Sequence, residues 1–160
     1  MRKDRLSLAE MKVQKILLDK ENNVSLVFLA NIDDEDQIFP IVTGIGRANS
    51  ILQIIKNIPF SRPLTHDLLN TIITKLEGTV SYVIIDKIAN DDVVATVYLK
   101  RQEKEISIES QACDAIAVAL KAKIPIYTAK NLLVRYSEII EGIGKGNDGG
   151  FYDWLDRLNS

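Results

Sequence analysis

Cysteine is almost missing from this chain. Cys113 stands alone, so neither an intrachain disulfide framework nor a cysteine-rich zinc site can be built. Long apolar runs are missing too. No stretch approaches the roughly 18 residues of a membrane span, and the charged start Met-Arg-Lys-Asp-Arg-Leu-Ser-Leu-Ala-Glu has no apolar centre of a secretory leader. Neither sign of charge prevails: 20 Lys and Arg against 22 Asp and Glu leave a net charge of −2. No global field therefore pulls the protein toward nucleic acid, and any such binding needs a local basic patch. Histidine occurs once, as His66. There is no internal repeat and no low-complexity segment. The chain reads as cytoplasmic.

What is present is an ordinary globular composition, with 46% hydrophobic and 26% charged residues in 160, enough for one domain with a real core. The expected organisation is a charged N-terminal segment over 1–9, a domain over 10–141, and a C-terminal piece over 142–160. Met11–Leu18 and Val24–Ala30 read as strands joined by a turn at Glu21-Asn22-Asn23. The acidic run from Asn31 to Asp36 lacks the glycine and terminal glutamate of a calcium loop and should be a solvated hairpin tip. Gln37–Thr43 reads as a third strand, with Pro40 marking an edge or a bulge. A helix with the apolar stripe Ala48, Ile51, Leu52 and Ile55 follows Gly44-Ile45-Gly46.

A second helix should begin with Thr65 as its N-cap, flanked by Leu64 and Leu69 at staple positions. Its Leu68, Leu69, Ile72, Ile73 and Leu76 recur with helical spacing, which commits that face to a core. Thr79–Ile88, Val93–Arg101 and Glu105–Ser110 read as a three-stranded meander. A helix follows from about Ser110, burying Ala115, Ile116, Ala119 and Leu120. Lys123–Tyr127 is a short extended segment, and Asn131–Ile140 should be a last core helix. The five glycines from Gly142 to Gly150 suggest a linker. Beyond them Phe151, Trp154, Leu155 and Leu158 have the spacing of a short amphipathic helix, too short to stand alone. Gly44-Ile45-Gly46 lacks the third glycine of a dinucleotide fingerprint, and Gly142–Gly146 lacks the spacing of a phosphate-binding loop.

Chemistry is expected where strands hand over to helices, because rigid elements there present electropositive helix starts. Two such junctions carry carboxylates: His66-Asp67, and Glu109 with Asp114. Brought together, Asp67, Glu109 and Asp114 would suit a hard cation such as Mg²⁺ or Mn²⁺. That ion could assist phosphodiester hydrolysis, with His66 as general acid or base and Arg62 and Arg47 on phosphate. Each residue also has a plain structural role open to it: a first-turn Asp suits the helix dipole, and a lone His can simply bond the backbone. No Gly-x-Ser-x-Gly elbow marks a nucleophilic serine. Cys113, at a helix start rich in alanine, is expected to be packed.

Arg62-Pro63-Leu64-Thr65-His66-Asp67-Leu68-Leu69 closely resembles the Arg-Pro-x-Thr-His-Asp-Leu signature of the bifunctional nuclease domain family. Pro40-Ile41-Val42-Thr43-Gly44 is similar to that family's Pro-Ile-x-Ile-Gly. Asp114–Leu120 with Pro125-Ile126-Tyr127 resembles its Ser-Asp-Ala-Ile-Ala-Leu-Ala and Pro-Ile-Tyr-Val. The resemblance runs in order from about Met11 to Tyr136. It implies an α+β fold in which helices pack on a mixed sheet, a homo-oligomer with a dimer foremost, and nuclease activity on DNA and RNA. Arg62, His66, Asp67 and Asp114 match the family's positions. The family's Asp-x-Arg-Pro-Ser-Asp appears here as Glu109-Ser110-Gln111-Ala112-Cys113-Asp114, and Arg47 stands where an acidic residue is usual. The expected function is metal-assisted nuclease action. The alternatives are a non-catalytic module that binds nucleic acid or a regulatory partner, and a small-molecule sensor.

Overall fold

The structure, a computed structural model, describes residues 7–89 and 92–143. Three strands come first: β1 (Leu8–Asp19), β2 (Val24–Asn31) and β3 (Gln37–Thr43). Helices α1 (Ile45–Ile55) and α2 (Thr65–Lys75) lead into the meander β4 (Thr79–Ala89), β5 (Asp92–Arg101) and β6 (Lys104–Gln111). Then come α3 (Ala112–Ala122), β7 (Ile126–Ala129), a 3-10 turn at Lys130–Leu132, β8 (Val134–Arg135) and α4 (Tyr136–Ile143). All eight strands form one sheet in the order β6-β5-β4-β7-β1-β2-β3-β8. Every neighbouring pair is antiparallel except β4 with β7, which is parallel. The fold is α+β with a mixed sheet.

Side chains alternate across the strands. One face presents Met11, Val27, Leu29, Ile41, Val83, Ile85, Ala95, Val97 and Ile126 to a core shared with α1 and α3. Helix α3 can lie close on this face because Ala112, Ala115 and Ala119 are all buried in that core and small. On the opposite face a second, smaller core forms over β2 and β3, where Leu26, Phe28, Ala30 and Ile38 meet Ile139 of α4. Phe28 and Tyr136 pack edge to face there, with ring centroids 6.1 Å apart.

Several sequence expectations change. The stripe of α2 is not a core face: Leu68, Leu69, Ile72 and Leu76 are 54%, 44%, 45% and 61% exposed. The helix rests on α3 through His66 and the half-buried Ile73 instead. Ile55 of α1 also lies in solvent. The expected helix starts only at Tyr136: Asn131 and Leu132 belong to the 3-10 turn, and Val134 and Arg135 pair with Ile38 and Gln37 as a strand. The 1–9 segment gives up Leu8 and Ala9 to β1, where they pair with Ala129 and Thr128. The expected turn at Ala89–Asp92 and the C-terminal piece fall partly or wholly outside the described residues.

The acidic run is more than a solvated tip. Asn31 is buried, donates to Gln37 Oε1 (2.8 Å) and accepts from the Asp33 amide (3.0 Å). Asp36 reaches across 101 residues to hold the start of α4. Its carboxylate accepts from the Ser137 amide and hydroxyl, both at 3.0 Å, and lies 2.8 Å from Arg135. The Tyr136 amide donates to the Asp36 carbonyl (2.8 Å). This is helix capping supplied by a distant residue. The Ser137 amide, then its hydroxyl and the Arg135 charge, hold the Asp36 carboxyl below its usual value of 3.8. A depressed carboxyl stabilises the fold above its unfolded pKa and stops doing so as pH falls through the folded one. Asp36→Ala should therefore lower Tm at neutral pH, and the gap to the parent should close as acid takes the protein below pH 3.8. Thermal melts across pH check both.

Candidate functional site

The loop 56–64 delivers the chain to the start of α2. Leu64, not Thr65, is the N-cap, in extended conformation and without a side-chain cap. The expected staple is absent because Leu69 points to solvent. Asp67, three residues into the helix, takes over the capping role: its Oδ2 accepts the Leu64 amide at 2.9 Å. Its Oδ1 lies 2.9 Å from Lys121 Nζ at the end of α3. Lys121 foremost, then the Leu64 amide and the nearby His66, hold the Asp67 carboxyl below its usual range against the partial burial that opposes them. Asp67 is thus a carboxylate at any pH where the protein would work.

His66 is 7% exposed, and its Nε2 is 4.0 Å from Asp67 Oδ2, too far for a hydrogen bond. It forms a wall common to two clefts. The first, about 420 Å³, is lined by Arg62, His66, Asp67, Thr71 and Lys121 together with the loop from Asn57 to Leu64. The second, about 560 Å³, is lined by Arg47, His66, Leu69, Glu109, Cys113 and Asp114 among others. Arg47 Nε faces Asp114 Oδ1 at 3.8 Å across this cleft. Cys113 is buried, and that burial pushes its thiol pKa up, as suits a packed side chain.

The structure therefore unites His66, Arg47 and Asp114 at one cleft, and His66, Arg62 and Asp67 at the other. Glu109, paired in register with Thr96, borders the Arg47 cleft only through its strand and turns its side chain to the opposite face of the sheet. It does not gather Asp67, Glu109 and Asp114. Among the described residues no group of three or more His, Cys, Asp or Glu side chains is placed to hold a metal ion. The reason lies in α3. Asp114 and Lys121 are seven residues apart, so they share a face but stand about 10 Å from each other along the axis. The start of α2 crosses α3 near Lys121, which leaves Asp67 at the far end from Asp114. Lys121 escaped the sequence reading. Its helical spacing from Asp114 was the available sign that it faces the same way.

The family model of the bifunctional nuclease domain matches residues 27–141, which includes both clefts. The chain belongs to the bifunctional nuclease domain family. An uncharacterized protein of Mycobacterium tuberculosis is 26% identical over 133 residues, covering 83% of this chain and 79% of its own. A protein of Oryza sativa subsp. indica described as bifunctional nuclease 1 is 24% identical over 103 residues, covering 62% of this chain. That stretch is only 31% of the rice protein. No helix among the described residues is long and apolar enough to cross a membrane.

Proposed function

We propose that this chain hydrolyses phosphodiester bonds of DNA or RNA at the His66 wall between the two clefts. The observation that carries the reading is the placement of one buried imidazole with cations on both sides, Arg62 and Lys121 in the first cleft and Arg47 in the second. Guanidinium and ammonium groups bind phosphate oxygens, so a strand laid across the wall would have a phosphate near His66. His66 then moves the proton, taking it from water or giving it to the leaving oxygen. Asp67 fixes the start of α2 and so the position of His66. Asp114 lines the second cleft, where its carboxylate can orient a water.

The donor set fits a divalent ion only in part. Asp67 is committed to Lys121 and Glu109 faces the other side of the sheet, so Asp114 alone would hold Mg²⁺ or Mn²⁺, with water and phosphate oxygens making up most of its shell. Such an ion would supply Lewis-acid polarisation of the phosphoryl oxygen. The Arg47–Asp114 contact favours a second reading. With that carboxylate already facing a cation, the clefts could bind nucleic acid or a regulatory partner without cleaving.

Labelled single-stranded DNA and RNA, assayed with Mg²⁺ or Mn²⁺, separate these readings. Cleavage should fall by about 10²–10⁴-fold in His66→Ala, while Arg62→Ala and Lys121→Ala should chiefly raise KM. Equal cleavage by His66→Ala would overturn the assignment. Salt-sensitive binding without cleavage would establish the second reading.

The proposal includes a homo-oligomer, with a dimer foremost. Leu68, Leu69, Ile72 and Leu76 on α2, with Ile106 and Ile108 on the edge strand β6, are each at least 41% exposed. Leu69 and Ile108 both line the second cleft, so a second copy seated on this surface would border the site. Sedimentation velocity should find the parent associated and Leu68→Glu, Ile72→Lys monomeric. A monomeric parent at tens of micromolar would contradict this.

A further inference from the structure

The sheet has a stretch of apolar face that its described helices leave to something else. On the side away from α1 and α3, strands β4, β5 and β7 present Tyr82, Ile84, Tyr98 and Tyr127. Tyr82 pairs in register with Tyr98 and stacks on it, with ring centroids 4.5 Å apart and planes 16° from parallel. Tyr127 meets Tyr82 edge-on at 6.3 Å. Ile84 lies between its register partners Thr96 and Tyr127. The helices in main contact with β4 and β5 are α2 and α3, and both belong to the opposite side. Even so, Ile84 and Tyr98 are only 6% and 7% exposed. Acidic groups rim this surface: Glu105 Oε2 accepts from the Tyr82 hydroxyl (3.2 Å), and Asp86 Oδ2 accepts from Thr96 (2.7 Å).

We infer that this tyrosine face is the docking surface for the chain's own C-terminal segment, residues 151–158, through Phe151, Trp154, Leu155 and Leu158. Three observations select that occupant. The first is side. Helix α4 packs over β2 and β3 on this same side of the sheet and is described as far as Ile143, so a segment that follows it can reach the tyrosines without crossing an edge. The second is reach. From β2 to β4 is three strand spacings, about 14 Å, and the seven residues 144–150 can extend to about 24 Å. The exposed apolar surface of α2 and β6 lies on the other side, so the route to it is far longer. The third is chemistry. The i, i+3, i+4, i+7 stripe supplies two aromatic and two leucine side chains to an aromatic surface.

Trp154 is the only tryptophan in the chain, so it reports its own surroundings. In the full-length native protein its emission should lie well to the blue of the unfolded chain's, and acrylamide should quench it several-fold less. Both signals should be independent of protein concentration. Tyr82→Ser and, on the other partner, Leu155→Asp should each move emission to the red and restore quenching, with the far-UV circular dichroism of the domain kept. Leu155→Asp leaves every residue of the two described cores unchanged, which keeps the test sound if Tyr82→Ser fails to fold. Ile72→Ser, on the opposite side, should change neither signal. A solvent-exposed Trp154 in the native parent would overturn the inference. So would a blue shift that survives Tyr82→Ser in a folded protein, or one lost on dilution, which would assign the segment to a second copy. Displacement of Trp154 by oligonucleotide with no effect of Tyr82→Ser would overturn it as well.

Discussion

The rest of the structure depends on how close α3 can lie to the sheet. It packs against β4 and β5 from above and carries α1 and α2 on its flanks, so it must be narrow. Alanines at 112, 115 and 119 meet that demand, and all are buried in the shared core. A leucine at Ala115 or Ala119 would overfill a position with no free volume, at a cost of about 1–3 kcal/mol. The same closeness sets the spacing of everything beside it. Arg47 on α1 and Asp67 on α2 are held at fixed heights along α3, where they meet Asp114 near its start and Lys121 near its end.

Where α2 crosses α3 decides the chemistry the clefts can support. Had α2 begun beside the start of α3, the carboxylates of Asp67 and Asp114 would meet. It begins near the end of α3 instead, so Asp67 pairs with Lys121 and serves as the cap of its own helix. Asp67 thereby becomes a structural carboxylate that fixes His66, and the cationic side chains fall on either side of the imidazole. The result is not a three-carboxylate set but a histidine wall between one cleft that holds Arg62 and Lys121 and another where Arg47 faces Asp114.

The strands were legible because period-2 alternation and turn residues act locally, and β3, β5 and β6 fall within a residue or two of their expected limits. The mixed sheet came from family resemblance, since a parallel β4–β7 pair is a long-range choice that no local pattern encodes. Apolar helical spacing reports that a face seeks cover, not which surface provides it, so of the α2 stripe only Ile73 packs against the core while Leu68, Leu69, Ile72 and Leu76 stay exposed. The start of α4 was hidden because its cap, Asp36, lies a hundred residues earlier in a run that looks merely acidic. At the site, His66, Asp67 and Asp114 were visible as residues, whereas their separation into two clefts depends on a helix crossing. Lys121 was hidden for the same reason.

The central claim is that phosphate backbone binds across the His66 wall, and the chain's single histidine makes a direct test possible. In tag-free protein the His66 Cε1–H resonance can be followed while a non-hydrolysable phosphorothioate oligonucleotide is added. Binding at the wall predicts a saturable shift of that one signal, which Arg62→Ala with Lys121→Ala weakens and added salt reverses. An imidazole signal that stays still while the oligonucleotide demonstrably binds would place nucleic acid elsewhere on the molecule and contradict the account.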